Sequence, residues 1–140
     1  MKEIFVFSDG SVNVQTKIGF GACLILHDFE TSIETLKKQV RVKRFENTSS
    51  TKLELQTLLW VLKELEPGKQ KIIVYTDSQN IIGLPGRRER LEKNNYRSKK
   101  NEPINNYQLY QEFYRFCDDL NPELIKVLGH QQTHRKDTIH

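Results

Sequence analysis

Residues 4–11, Ile4-Phe5-Val6-Phe7-Ser8-Asp9-Gly10-Ser11, line up four apolar side chains and then an acid, and residues 72–79, Ile72-Ile73-Val74-Tyr75-Thr76-Asp77-Ser78-Gln79, repeat the arrangement. An unbroken apolar run of this length, bounded by a turn signal, reads as a strand buried on both faces, the kind used in parallel sheets. The Asp that ends each run adds nothing to a core. It is either a turn former bonded to its own backbone or an oxygen ligand held rigidly for a hard cation such as Mg²⁺. Two more groups of acids and bases accompany the pair. Glu54 stands in Thr51-Lys52-Leu53-Glu54 at the start of an apolar stripe, and a late cluster runs from Gly129-His130 through His134 to Asp137.

Working outward from residues 4–11, the chain alternates its periodicities. Residues 3 to 9 read as one strand, 19 to 29 as a second, and roughly 33 to 45 as a third, with period-two alternation in Gln39-Val40-Arg41-Val42-Lys43-Arg44-Phe45. Leu55, Leu58, Leu59, Leu62 and Leu65 then recur at helical spacing until Pro67-Gly68. A fourth strand is expected over 71–76. Gly83-Leu84-Pro85-Gly86 is expected to break the short helix begun by Gln79-Asn80-Ile81-Ile82. Leu109, Phe113, Phe116 and Leu120 make a further amphipathic helix, ended by Asn121-Pro122, and residues 123–128 supply a fifth strand. Strand–helix–strand order implies parallel pairing and an α/β arrangement in which reactive groups gather at the C-terminal ends of the parallel strands. Asp9 and Asp77 then converge if their strands are neighbours.

Composition narrows the classes. A chain of 140 residues, 36% apolar and 29% charged, can bury the core of one soluble domain. No run approaches the roughly 18 to 20 apolar residues of a membrane span, and Met1-Lys2-Glu3-Ile4 enters a strand without a signal-peptide pattern, which points to the cytoplasm. Cys23 and Cys117 sit in apolar surroundings without metal-ligand spacing and read as buried free thiols. The net charge of +4 is unevenly spread: between Arg87 and Lys100 there are seven bases and two acids. Such a block is either a solvated helix face or a surface that meets a phosphate backbone.

Taken together, Asp9-Gly10-Ser11, Gly19-Phe20-Gly21-Ala22, Lys52-Leu53-Glu54-Leu55, Thr76-Asp77-Ser78-Gln79 and Gly129-His130 followed by Asp137 resemble the type 1 ribonucleases H, in the order and at about the spacing of that family. The resemblance spans residues 4–137. It implies a ribonuclease H-like fold, α/β, with a five-stranded mixed sheet in the order 3-2-1-4-5 flanked by helices, and one such domain over residues 1–140. It also implies a metal-dependent endonuclease that hydrolyses the RNA strand of RNA–DNA hybrids, leaving 5′-phosphate and 3′-hydroxyl ends. Asp9, Glu54, Asp77 and Asp137 match the acids that bind two Mg²⁺ or Mn²⁺ ions, with Asp9 bridging both. Glu54 and Asp77 would support the ion near the leaving oxygen, Asp137 the ion near the attacking water. His130 matches a mobile histidine that assists, with His134 a competitor for that place. The capping-box pattern of Thr51 to Glu54 gives Glu54 a second reading, as a partner of the helix N-cap.

The implied substrate is an RNA–DNA hybrid, sensed through 2′-hydroxyls in its minor groove. Ser11, Asn13, Ser50, Thr51, Ser78 and Gln79 are candidates for those contacts. Arg87, Arg88, Arg90, Lys93, Arg97, Lys99 and Lys100 fall in a segment of about 86–101 that corresponds to the family's basic protrusion. Many members continue into a C-terminal helix for which this sequence, ending at His140, has no counterpart. A monomer is expected, or a dimer in which a second copy covers the sheet face that the missing helix leaves open. Two other readings stay open: a DNA-acting nuclease or transposase core with the same acids, and a hybrid-binding module that does not cut.

Overall fold

The computed structural model describes residues 2–27, 32–68 and 70–128. The strands are β1 (Lys2–Asn13), β2 (Ile18–Leu26), β3 (Arg41–Phe45), β4 (Gln70–Thr76) and β5 (Glu123–Lys126). They form one sheet in the order β3-β2-β1-β4-β5, antiparallel from β1 through β2 to β3 and parallel from β1 through β4 to β5. The sheet order expected from the sequence is the one observed.

Alternation fixes which way β1 faces. Ile4 and Val6 point to the helical side and join Ile72 and Val74 of β4 in the core. The helices are α1 (Ile33–Gln39), α2 (Ser50–Leu62), α3 (Gln79–Lys93) and α4 (Tyr107–Leu120). Leu55, Leu58, Leu59 and Leu62 bury the leucine stripe of α2, while Phe113 and Tyr114 of α4 complete the core. Gly21 of β2 lets α2 lie directly on the sheet, because a Cβ at that position would stand 2.1 Å from Oγ1 of Thr57.

Four local expectations are corrected. The third strand does not begin near residue 33: residues 33–39 are helical and β3 starts at Arg41. Ser32 caps the first turn by accepting from the Thr35 amide at 3.3 Å, and Glu34 and Lys37–Lys38 complement the helix dipole, so capping outweighs the β-branched Ile33 and Thr35. Secondly, β1 runs past Asp9 to Asn13. Its hairpin turn is closed by Asn13, whose Oδ1 accepts from the Gln15 and Thr16 amides, and by Lys17 at φ +59°.

Thirdly, α3 is not broken at Pro85 but runs fifteen residues through it. Pro85 takes the helical donor from the Ile81 carbonyl, and side chains brace the helix around that gap: Arg87 donates to the Asn80 carbonyl at 2.7 Å and Tyr114 Oη donates to the Leu84 carbonyl at 2.6 Å. Burial pushes the Tyr114 phenol up to about 12, so the donor stays protonated. Fourthly, α2 is capped by Ser49, which accepts from the Lys52 amide, not by Thr51; Glu54 therefore stands outside the capping box. Cys23 is a buried free thiol as expected, and Cys117, also free, is partly buried. No helix among the described residues is long and apolar enough to cross a membrane.

Candidate active site

The site lies where β1 and β4 part company. Their parallel ladder ends at the pair Phe7↔Tyr75, two residues before each Asp. Beyond it β4 stops at Thr76 and turns into α3, whereas β1 goes on pairing with β2, Asp9 opposite Ala22. Asp9 is thus inside β1 and not past its end, a correction to the reading that both acids follow their strands. The carboxylates flank a fork whose two arms are held by separate ladders. They share the lining of a cavity of about 420 Å³ with Phe7, Tyr75, Cys23 and Leu128, and Phe7 and Tyr75 stack at 4.8 Å beneath them.

Glu54 reaches the fork from α2. Its neighbour Leu53 is buried over Gly10 and Gly19, where a Cβ on either glycine would come within 3.0 Å of the leucine, and this contact fixes the first turn of α2 over the end of β1. Burial holds the Glu54 carboxyl above the usual carboxylate range, a hydrogen bond from Ser78 opposes that, and the negative charges of Asp77 and Asp9 raise it further. Three acids from β1, α2 and the start of α3 therefore sense one another. They are not drawn to a single point: among the described residues no three His, Cys, Asp or Glu side chains stand close enough to hold one ion. The donor set nonetheless fits a hard divalent cation, being all carboxylate oxygen.

Neighbouring groups orient the acids. The Gly10 amide donates to Asp9 Oδ1 at 2.8 Å. Ser78 is 2% exposed, accepts from the Ile81 amide at 3.1 Å as the N-cap of α3 and donates to Glu54. Its hydroxyl is thus engaged with Glu54 and the helix end, and the residue is buried rather than displayed for substrate. This link between Ser78 and Glu54 is absent from the sequence reading, although Thr76-Asp77-Ser78 carries its signal, an N-cap serine immediately after the acid. Gln79, Ser50, Thr51, Ser11 and Asn13 are exposed.

The basic segment divides into two sets. Arg88 makes a two-pronged ion pair with Asp118, at 2.6 and 2.8 Å, bonds Glu92 at 2.9 Å and lies 5.1 Å from the Tyr114 ring centre. Arg87 turns back onto Asn80. Arg88 fastens α3 to α4 and Arg87 braces α3 on itself, so neither is displayed as a grip. Arg90, Lys93, Arg97, Lys99 and Lys100 are exposed, the last three beyond α3 in a turn closed by the bridge Arg97↔Pro103. Tyr96 is buried in the core. His130, His134 and Asp137 lie outside the described residues.

Comparison with known proteins agrees with this geometry. The sequence profile of the RNase H family matches residues 1–138. The ribonuclease H of Caldicellulosiruptor saccharolyticus is 34% identical over 134 residues, covering 93% of this chain and 86% of that protein. That of Acetivibrio thermocellus is 26% identical over 133 residues, with 93% and 84% covered. Among solved structures, the foamy viral protease–reverse transcriptase in complex with dsDNA is similar in fold, with a TM-score of 0.65 at 10% identity, covering 99% of this chain and 90% of that one. The match across nearly the whole sequence, joined to the observed strand order, places the chain in the ribonuclease H family of enzymes.

Proposed function

We propose that this protein is an endonuclease that hydrolyses the RNA strand of RNA–DNA hybrids with two divalent cations, leaving 5′-phosphate and 3′-hydroxyl ends. The observation that carries the reading is the gathering of Asp9, Asp77 and Glu54 at one fork from three separate parts of the fold, close enough for the charges of Asp77 and Asp9 to act on the Glu54 carboxyl. Gathered carboxylates raise one another's cost of ionisation, and a bound cation offsets that cost.

Asp9, Glu54, Asp77 and Asp137 would hold the ions, Mg²⁺ or Mn²⁺. When bound, such a pair supplies an ionised water at neutral pH and offsets the charge that builds on the phosphate being cut. The chain's own part is positional. The Gly10 amide sets the rotation of Asp9 and the Ser78 hydroxyl that of Glu54, so neither carboxylate must be ordered when substrate arrives. His130 assists the water or the departing product. Ser11, Asn13, Ser50, Thr51 and Gln79 ring the fork with short polar groups suited to reading 2′-hydroxyls. Arg90, Lys93, Arg97, Lys99 and Lys100 supply a salt-sensitive grip on the DNA strand.

The test is cleavage of one labelled sequence as RNA–DNA hybrid, duplex RNA, duplex DNA and single-stranded RNA, with Mg²⁺, Mn²⁺ or EDTA, beside Asp9→Asn. Metal-dependent cutting of the hybrid's RNA strand alone, lost in the variant, is expected. Cutting of duplex DNA would shift the reading to a DNA-acting relative, and absence of cutting with retained hybrid binding would leave a binding module.

A further inference from the structure

Beyond the acids, the sheet carries a second row of side chains on the same face. Asp9 stands opposite Ala22, which stands opposite Val42; two residues further along, Ser11 faces Phe20 and Phe20 faces Arg44. Gly10, Gly19 and Gly21, between these residues, meet Leu53 and Thr57 of α2, so Asp9, Ser11, Phe20 and Arg44 all point away from that helix. Sheet spacing puts Arg44 on the order of 12 Å from Asp9, two strands across and two residues along.

The row lines a groove of about 530 Å³ together with Asn13 and Thr16. Phe20 is 50% exposed, an aromatic left open to solvent in the middle of a strand. Arg44 pairs with Glu46 at the surface, both side chains well exposed, and such a pair exchanges readily for a phosphate. Residues 37–44 hold five bases, Lys37, Lys38, Arg41, Lys43 and Arg44, and no acid. Of the β3 bases, Arg41 and Lys43 turn to the α2 side and lie over Trp60, and Arg44 turns to the side of the proposed reaction centre; an open ring beside a guanidinium suits a nucleotide, the ring under a base or sugar and the cation on its phosphate.

We infer that Phe20 and Arg44 form a nucleic-acid subsite that holds the cut strand of the substrate a short distance from the reacting phosphate. The inference rests on the hybrid-cleaving reading. It adds a positioning role for two residues that do not touch the reacting atoms.

The test measures hybrid binding by Asp9→Asn protein, in which cleavage is blocked, as a function of salt. Arg44→Gln is expected to weaken binding about tenfold at low salt and to lower the slope of log K against log salt by about one. Phe20→Leu is expected to weaken it about tenfold with the slope unchanged. Glu46→Gln, which frees Arg44, should leave binding unchanged or tighten it. Trimming the RNA strand back to the cut site, on each side in turn, should erase the difference between variants and parent on one side. Equal losses from Arg44→Gln and Glu46→Gln would mean that the pair only braces β3 and would overturn the subsite. So would parental binding by Arg44→Gln and Phe20→Leu while the parent still binds and the Asp9-containing protein still cuts. Failure of the parent to bind hybrid at all would instead remove the hybrid-cleaving reading and the subsite with it.

Discussion

Replacing Gly21 by alanine probes how closely α2 must lie on the sheet for Glu54 to reach the fork. The new Cβ would stand 2.1 Å from Thr57 Oγ1, 2.9 Å from Cγ2 and 3.0 Å from Cβ. Thr57 cannot swing aside: it is fully buried, its hydroxyl donates to the Leu53 carbonyl at 2.7 Å, and a β-branched side chain in a helix has few rotamers. The helix must therefore retreat by about 1 Å, and Leu53, seated over Gly10 and Gly19, must loosen with it. Overpacking of this kind costs about 1 to 3 kcal/mol, and the loss of the contacts that separate puts Gly21→Ala near the upper figure. Urea unfolding followed by circular dichroism should show the midpoint falling by more than about 1 M, given a slope of roughly 2 kcal/mol per M. Glu54 rides on the same helix three residues before Thr57, so hybrid cleavage should drop by about a hundredfold in the folded protein. The double variant Gly21→Ala, Thr57→Ala removes both nearest atoms and should recover more than half of the lost stability. A Gly21→Ala protein within about 0.5 kcal/mol of the parent, or a double variant no better than the single one, would refute the close approach of α2.

Other outcomes follow from the same geometry. Asp9→Asn and Asp77→Asn should abolish cleavage while leaving the circular dichroism spectrum and unfolding midpoint close to those of the parent, and His130→Ala should slow cleavage without abolishing it. Glu54 binds its proton more tightly folded than unfolded, so its contribution to stability is fully present below its unfolded pKa and is lost as pH rises through its folded one; Glu54→Gln should accordingly raise the neutral-pH melting temperature of the protein in EDTA while eliminating activity, as read by thermal scans and the cleavage assay. For Asp118 the sign is opposite: Arg88 holds its carboxyl below the usual range, so the pair's contribution fades as pH falls, and a pH series of melting temperatures should show Asp118→Asn losing its disadvantage in acid. Arg88→Ala should lower stability by about 1 to 2 kcal/mol, through the ion pairs and the Tyr114 ring, with the salt dependence of hybrid binding unchanged, while Arg90→Gln with Lys93→Gln should flatten that dependence at unchanged stability.

The parts of the molecule legible in the sequence are those where pattern and packing ask for the same thing. The apolar runs before Asp9 and Asp77 are core strands, the leucines of residues 55–62 face the sheet, and the strand order is the one that the resemblance to the ribonucleases H implies. The misreadings arise where a local device outweighs composition. Ser32 turns an apparent strand into α1. Arg87 and Tyr114 brace α3 around Pro85 with side-chain donors, and Tyr114, thirty residues from the Leu84 carbonyl it bonds, lies outside any window around the proline. The length of β1 is hidden because the hairpin turn uses Asn13 and Lys17 in place of glycine or proline. At the site, Asp9 and Asp77 are visible as acids that close apolar runs, but the division of the basic segment into a structural clamp and an exposed set depends on Asp118, thirty residues from Arg88.

Ser78 follows Asp77, caps α3 and holds Glu54 on α2, so one hydroxyl ties the winding of a helix to the aim of a carboxylate on a different one. The consequence is a built-in interlock. If α3 frays from its first turn, the serine leaves Glu54 at the same moment, and the acid cluster loses its alignment before the sheet beneath it is disturbed. A partly unwound chain is then switched off as a nuclease and not loosened into an indiscriminate one.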